Sequence, residues 1–273
     1  MDAKLEKEAL HILKLTSRTF YIPITLLDRQ LKLTVASAYL CMRAIDEIED
    51  HETLDAHIKE KLLLETEQLL LNAGSFDGEQ YESLVAPYEN DLPEVTTRLA
   101  DWLLVCPEDI RGKVQEFTAE MAGGMAYWVK KDWRVETKED LDDYTYYVAG
   151  LVGVMLSEIW YWYDGTETDH DLAVGFGRGL QAVNILRNQD EDYEERGVRF
   201  IPDGWKRADV FAYARKNLAD ADDYLKQIKT KNIKLFCRIP LSLAKRTLKA
   251  MEQGKEKISR QEVEEVVAEA KDE

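Results

Sequence analysis

Hydrophobic side chains recur at helical spacing along nearly the whole chain, and no segment alternates with the period of two that marks a strand. The pattern predicts successive helices near residues 3–15, 29–51, 55–72, 94–104, 107–131, 138–163, 169–193, 205–230, 232–254 and 259–271. The stretch 73–93 is predicted to be loop-rich, and no helix is predicted within it. No repeat of 20–50 residues interrupts this pattern, so residues 1–273 are predicted to form one all-α domain.

Two of these segments, 33–45 and 146–163, are apolar nearly all round, which indicates a position in the core. The second approaches the length of a membrane span, but it contains Glu158 and no basic flank precedes it, so we expect a buried core helix. Gly150, Gly153 and Ser157 leave one face of it nearly bare. This face has two explanations, close helix packing or room for a long apolar ligand.

Local signals mark two helix starts, because "TKED" (137–140) and "SRQE" (259–262) have the spacing of capping boxes. The glycines of "GFGRG" (175–179) lack the spacing of a nucleotide-binding loop, and we interpret them as small residues for tight packing.

The net charge of −17 argues against binding to nucleic acid and against electrostatic attachment to anionic lipid. The three cysteines are far apart in the sequence, which predicts a reducing cytoplasm and no disulfide framework. The first fifteen residues have the pattern of a charged amphipathic helix and not of a signal peptide.

The sequence "DEIED" (46–50) ends the first apolar helix with a concentration of negative charge. Asp46 and Asp50 are spaced i, i+4, so on a helix they share a face and repel each other. Glu47 and Glu49 lie off that face and are expected to be surface charge. An acid-rich helix end is often simply solvated, so this motif alone does not establish a site.

A second polar ladder occurs in "LQAVNILRNQDEDYEERGVRF", where Asn184, Asn188 and Asp192 are spaced i, i+4 and i+8. Mg²⁺ prefers oxygen ligands and is usually held by one or two carboxylates together with substrate phosphates. Two facing ladders could therefore hold Mg²⁺ and share it with a diphosphate, while Arg43 and Arg187 bind the remaining phosphate oxygens. The alternative is a purely structural role, in which the asparagines are only helix caps.

Four segments in order resemble the squalene/phytoene synthase family: "SRTFYIPITLL" (17–27), "AYLCMRAIDEIED" (38–50), "YTYYVAGLVG" (144–153) and "LQAVNILRNQDEDYEERGVRF" (180–200). The resemblance implies an all-α isoprenoid-synthase bundle around a hydrophobic cavity, a Mg²⁺ cluster, and head-to-head joining of two prenyl diphosphates through a cyclopropyl intermediate. It implies metal ligands at Asp46, Asp50, Asn184, Asn188 and Asp192, and catalytic roles for Asp46, Asp50, Tyr144 and Asp192. It further implies that the substrate is bound by Ser17, Phe20, Tyr39, Arg43, Gln181 and Arg187.

One position departs from the pattern of the family that the chain resembles, because Asn188 stands where the second motif of that family normally has Asp. The missing charge is expected to weaken Mg²⁺ binding, so our first hypothesis is that the chain ionises farnesyl diphosphate and that water traps the cation as farnesol. The alternative is condensation to squalene, dehydrosqualene or phytoene, and a third hypothesis is a non-catalytic prenyl-lipid-binding or scaffold protein. No nicotinamide-binding signature is present, and a cytoplasmic protein with at most loose membrane contact is expected.

Overall fold

The computed structural model describes residues 2–17, 19–72, 76–255 and 258–272, and within these ranges it contains helices and no strands. The chain divides into two compact units, which are described separately below. Unit 1 comprises Met1–Ile24 and Asp28–Trp133, and unit 2 comprises Thr25–Leu27 and Arg134–Glu273. The prediction of a single domain over residues 1–273 is not tested by this division and stays a prediction.

The long helices of unit 1 follow the predicted segments closely. They are α1 (Ala3–Thr16), α3 (Arg29–Glu49), α4 (Ala56–Leu71) and α8 (Glu108–Lys130). Shorter helices lie between them, namely α2 (Tyr21–Thr25), α5 (Gly78–Val85), α6 (Glu94–Thr97) and α7 (Leu99–Val105).

Helix α3 forms the centre of unit 1, as its apolar sequence predicts. From Leu33 to Ile45 every side chain except those of Tyr39 and Arg43 is buried, and the helix packs against α1, α4, α6, α7 and α8. Buried hydrogen bonds fix its rotation, because Ser37 donates to the main-chain oxygen of Trp102 (2.7 Å) and Thr96 donates to that of Ala44 (3.2 Å). The acidic end of α3 is therefore carried on a rigid element.

Unit 2 is built around one long helix. Its helices are α9 (Lys138–Thr145), α10 (Leu151–Asp164), α11 (His170–Arg196), α12 (Arg207–Gln227), α13 (Lys231–Glu252) and α14 (Arg260–Asp272). Helix α11 contacts α9, α10, α12 and α13. A π-helical segment, Tyr146–Gly150, joins α9 to α10 and packs on α11 as well.

Glycines allow α11 to approach its neighbours closely. This explains the face formed by Gly150, Gly153 and Ser157 by close helix packing and not by room for an apolar ligand. A Cβ atom on Gly153 would lie 2.2 Å from the carbonyl oxygen of Ala173, and one on Gly177 would lie 2.2 Å from that of Ala149. The hydroxyl of Ser157 is 2.9 Å from that of Tyr224. The small residues of 146–163 and of "GFGRG" therefore serve close helix packing.

Two predictions about these elements need correction. The stretch 73–93 contains α5 and a 3₁₀ turn, Ala86–Tyr88, although residues 73–75 lie outside the described part. Helix α5 forms because Asp77 caps its start and the buried Tyr81 donates a hydrogen bond to the main-chain oxygen of Thr96 (2.8 Å). The segment 146–163 is buried on one face only, with Trp160 fully enclosed and Tyr161 mostly exposed.

Both predicted capping boxes are present. Thr137 and Asp140 exchange reciprocal hydrogen bonds at the start of α9, and Ser259 and Glu262 do so at the start of α14. Among the helices of the described ranges, none combines the length and the apolarity that a membrane crossing requires.

The close packing of α11 can be tested by adding a methyl group at Gly177. We expect Gly177→Ala to lower the free energy of unfolding by about 1–3 kcal/mol, because the new Cβ would clash with main-chain atoms at Ala149. Gly112→Ala is the matched control, since a Cβ there meets nothing within 4 Å, and the change should stabilise α8 by about 0.5–1 kcal/mol. Urea denaturation measures both, and equal effects of the two substitutions would contradict this packing.

Candidate active site

The last turn of α3 brings three carboxylates together in unit 1. One oxygen from each of Asp46, Glu49 and Asp50 lies within 4.8 Å of the others. Asp46 and Asp50 are partly exposed, whereas Glu49 is buried. Carboxylate oxygens are the ligands that hard divalent cations prefer, so the donor set fits a cation such as Mg²⁺.

The prediction of surface charge is wrong for Glu49, whereas Glu47 is partly exposed and pairs with Arg43. Glu49 is 1% exposed, and one of its carboxylate oxygens accepts a hydrogen bond from the indole N–H of Trp133. Helical spacing places Glu49 off the face of Asp46 and Asp50, but it does not show that the turn after α8 contacts Glu49. Trp133 and Lys59, whose ammonium donates to the main-chain oxygen of Glu49 (2.8 Å), carried no signal in the sequence.

Arg43 binds two of the acids on its own helix. Its guanidinium is 2.5 Å from a carboxylate oxygen of Asp46 and 2.5 Å from one of Glu47, and its Nε also donates to Glu47 (2.8 Å). Burial alone would lower the pKa of Arg43, but the two carboxylates outweigh it and raise that pKa. The guanidinium therefore stays protonated beside the carboxylates, about one third exposed.

The motif that begins at Ser17 packs against the same helix. The hydroxyl of Ser17 accepts a hydrogen bond from the backbone N–H of Phe20 (2.9 Å), and the rings of Phe20 and Tyr39 lie 6.3 Å apart. Tyr39 donates to the main-chain oxygen of Thr16 (2.9 Å), and burial raises the pKa of its hydroxyl. Tyr39 precedes Arg43 by one helical turn, so this cluster adjoins the acidic turn.

The second predicted ladder lies on α11 in unit 2. Asn184 donates to the side-chain oxygen of Gln181 (3.4 Å), and Arg187 donates through Nε to the amide oxygen of Asn188 (3.1 Å). Asn184 and Asn188 are partly exposed and Arg187 is exposed. The backbone of Asp192 is part of α11, but its side chain lies outside the described part of the chain.

Tyr144, near the end of α9, is buried and stacks on Phe200, with ring centroids 4.5 Å apart and planes inclined by 13°. The π-helical segment begins two residues later. Such segments are frequent at functional sites in helical proteins.

The structure thus brings Ser17, Phe20, Tyr39, Arg43, Asp46 and Asp50 together along α1–α3 of unit 1. It places Gln181, Asn184, Arg187 and Asn188 along one helix of unit 2. The expectation that the two ladders act on the same ions stays a prediction.

The family model described as squalene/phytoene synthase matches residues 13–210. This match covers more than half of the chain and includes every predicted site residue. The chain belongs to the squalene/phytoene synthase family.

Curated members of this family include squalene synthases of several eukaryotes. The chain is 32% identical over 273 residues to the squalene synthase of Schizosaccharomyces pombe, covering 88% of this chain and 58% of the relative. It is 29% identical over 268 residues to the squalene synthase of Dictyostelium discoideum, covering 88% of this chain and 62% of that relative. It therefore spans about three fifths of the length of these two relatives.

Solved structures show the fold. The complex of TcSQS with the ligand BPH1237 has a TM-score of 0.79 at 24% identity, covering 98% of this chain and 86% of that one. A dehydrosqualene synthase complex has a TM-score of 0.57 at 20% identity, covering 98% and 96% of the two chains. With the helical content of the described residues, these likenesses confirm the predicted all-α isoprenoid-synthase fold.

The Tyr39 hydrogen bond connects the end of α1 to α3 and can be tested directly. We expect Tyr39→Phe to lower the free energy of unfolding by about 0.5–1.5 kcal/mol, because the main-chain oxygen of Thr16 loses its donor. Tyr161→Phe removes the same hydroxyl from a side chain that is 58% exposed, and it should change stability by less than about 0.5 kcal/mol. Chemical denaturation measures the free energy of unfolding of both variants. An unchanged value for Tyr39→Phe would show that this hydrogen bond does not stabilise the fold.

Proposed function

We propose that this protein is a divalent-metal-dependent prenyltransferase that joins two allylic prenyl diphosphates head to head. The main support for this proposal is the group of three carboxylates on the last turn of α3. The family match of the chain includes that turn. Farnesyl diphosphate is the proposed substrate, because squalene, the product for which the relatives are named, contains two farnesyl units. The similarity supports condensation better than the hydrolysis that the sequence first suggested.

The proposed cation is Mg²⁺. In unit 1 its proposed ligands are Asp46 and Asp50. In unit 2 the residues proposed as Mg²⁺ ligands are Asn184, Asn188 and Asp192. When bound, Mg²⁺ would neutralise charge on the diphosphate and make it a better leaving group. The residues of unit 1 supply hard oxygen ligands, which is the chemistry that Mg²⁺ selects over softer sites.

Arginines and aromatic rings are proposed to bind the rest of the substrate. Arg43 stays protonated and partly exposed beside the carboxylates, so its guanidinium is suited to phosphate oxygens. Arg187 is exposed on α11 and is assigned the same role. Ser17, Phe20, Tyr39 and Gln181 are proposed to line the diphosphate or the allyl chain.

The proposed reaction begins when the C–O bond of the first substrate breaks and its electron pair leaves with diphosphate. The allylic cation is then attacked by the double bond of the second substrate, and loss of a proton closes a cyclopropane. Tyr144, held by its stack on Phe200, is proposed to stand near the reacting carbons. Conversion of the cyclopropyl diphosphate to squalene consumes a hydride, so the cyclopropyl diphosphate is the expected product without added reductant.

Asn188 favours hydrolysis as a second candidate. The neutral amide lacks the charge of an aspartate, and its oxygen already accepts a hydrogen bond from Arg187. Both effects would weaken this ligand and the handling of a second diphosphate, leaving the cation to water and giving farnesol. A lipid substrate and product would make loose contact with a membrane surface part of either reaction.

The role of the acidic turn is tested by neutralising its two aspartates in turn. In an assay with farnesyl diphosphate as substrate and Mg²⁺ as cofactor, we expect Asp46→Asn and Asp50→Asn each to slow the release of diphosphate by about 100-fold or more. The reason is that each substitution removes a charged ligand. Asp203→Asn, which neutralises an exposed carboxylate in unit 2, should react like the parent. Parent-like rates in both α3 variants would refute the proposal and favour a non-catalytic lipid-binding protein.

The choice between the two reactions is tested at Asn188. We expect Asn188→Asp to lower the Mg²⁺ concentration for half-maximal rate about tenfold and to raise the ratio of cyclopropyl diphosphate to farnesol. Gln189→Glu is the control, because it adds the same charge one residue away from the ladder. Extracted products are measured by mass spectrometry. An unchanged product ratio in Asn188→Asp would mean that this residue does not select the reaction.

A further inference from the structure

A partly buried contact from the turn after α8 supports the acidic end of α3. The indole N–H of Trp133 donates to a carboxylate oxygen of Glu49. The ammonium of Lys59 lies 5.1 Å from the centre of the Trp133 ring and 2.8 Å from the main-chain oxygen of Glu49. Lys59 is 6% exposed and Glu49 is 1% exposed, so the bond between them is shielded from water, while Trp133 is partly exposed. We call Lys59 and Trp133 the clamp.

The backbone around Trp133 takes a conformation that L-residues rarely adopt. Asp132 has a φ of 52° and Trp133 a φ of 49°, and they are the non-glycine residues with positive φ in the described part of the chain. Two successive residues in the left-handed region persist only where surrounding contacts over-determine them. Here the unusual turn after α8 carries the indole back to the end of α3.

The clamp compensates a specific electrostatic problem. The carbonyl end of a helix carries partial negative charge and disfavours acids, yet the last turn of α3 contains Asp46, Glu47 and Glu49 and no basic residue. Lys59, contributed by α4, places a cation on the last carbonyl of α3. Trp133 donates a hydrogen bond to the carboxylate of Glu49, which favours an orientation beside its acidic neighbours.

We propose that Trp133, with Lys59, is a positioning residue that keeps Glu49 beside Asp46 and Asp50 so that the three carboxylates converge before a cation binds. This inference rests on the proposed function, because it assigns the clamp to the proposed cation site. Groups that orient metal ligands without touching the metal commonly change metal affinity 10- to 100-fold when they are removed. The clamp acts in the same way, through Glu49.

The test measures binding of Mn²⁺ by electron paramagnetic resonance, in the presence of inorganic pyrophosphate, at a temperature where circular dichroism shows every variant folded. Trp133→Phe keeps an aromatic ring for Lys59 but removes the N–H donor. We expect it to weaken Mn²⁺ binding about tenfold. Lys59→Met keeps the aliphatic stem without the ammonium and is expected to weaken binding in the same direction. Tyr127→Phe, an exposed position on α8, should bind within twofold of the parent.

A double-mutant cycle separates positioning through Glu49 from a general structural effect. In a Glu49→Ala background, Trp133→Phe should weaken Mn²⁺ binding by less than twofold further, because the carboxylate on which it acts is gone. A full additional tenfold loss in that background would overturn the inference.

The parent protein distinguishes failure of the inference from failure of the proposed function. If the parent binds Mn²⁺ and Trp133→Phe binds it equally well, the inference alone is overturned. If the parent does not bind Mn²⁺ with pyrophosphate, the proposed cation site is overturned and the clamp loses its role with it.

Discussion

Negative charge at the carbonyl end of α3 is the constraint on which the candidate site depends. Asp46, Glu47, Glu49 and Asp50 crowd into little more than one turn, where the helix dipole already disfavours them. Arg43 binds two of these acids from within α3. Lys59 of α4 and Trp133 of the turn after α8 bind the main chain and the side chain of Glu49, respectively. A divalent cation would complete this compensation, which gives the charge crowding a functional reason.

The fold of each unit supplies what its part of the site requires. In unit 1, α3 is enclosed by its neighbours, and buried hydrogen bonds fix its rotation. In unit 2, glycines bring α11 against the π-helical segment and α12 closely enough that a Cβ would not fit. Both polar motifs are thus carried on long, tightly packed helices. Sites on such elements hold their ligands more accurately than sites on loops.

Much of the architecture could be predicted from the sequence, because helical periodicity and capping boxes are local signals. The spacing of Asp46 and Asp50 and of Asn184 and Asn188 likewise follows from helix geometry alone. What could not be predicted depends on tertiary contacts. The spacing predicts Glu49 as surface charge, but Trp133 contacts its carboxylate. No sequence pattern predicts the positive φ at Asp132. Helix α5 was missed because its stability comes from burial of Tyr81 and not from a long periodic pattern.

The central claim is that the acidic end of α3 is built to hold a divalent cation. The most direct measurement is the free energy of unfolding of the parent and of Asp50→Asn, each determined in EDTA and in saturating Mg²⁺ with pyrophosphate. Linkage predicts that the parent gains about 2.7 kcal/mol when free Mg²⁺ is 100 times its dissociation constant, and that Asp50→Asn gains far less. An equal gain in both proteins, or none in the parent, would contradict the account.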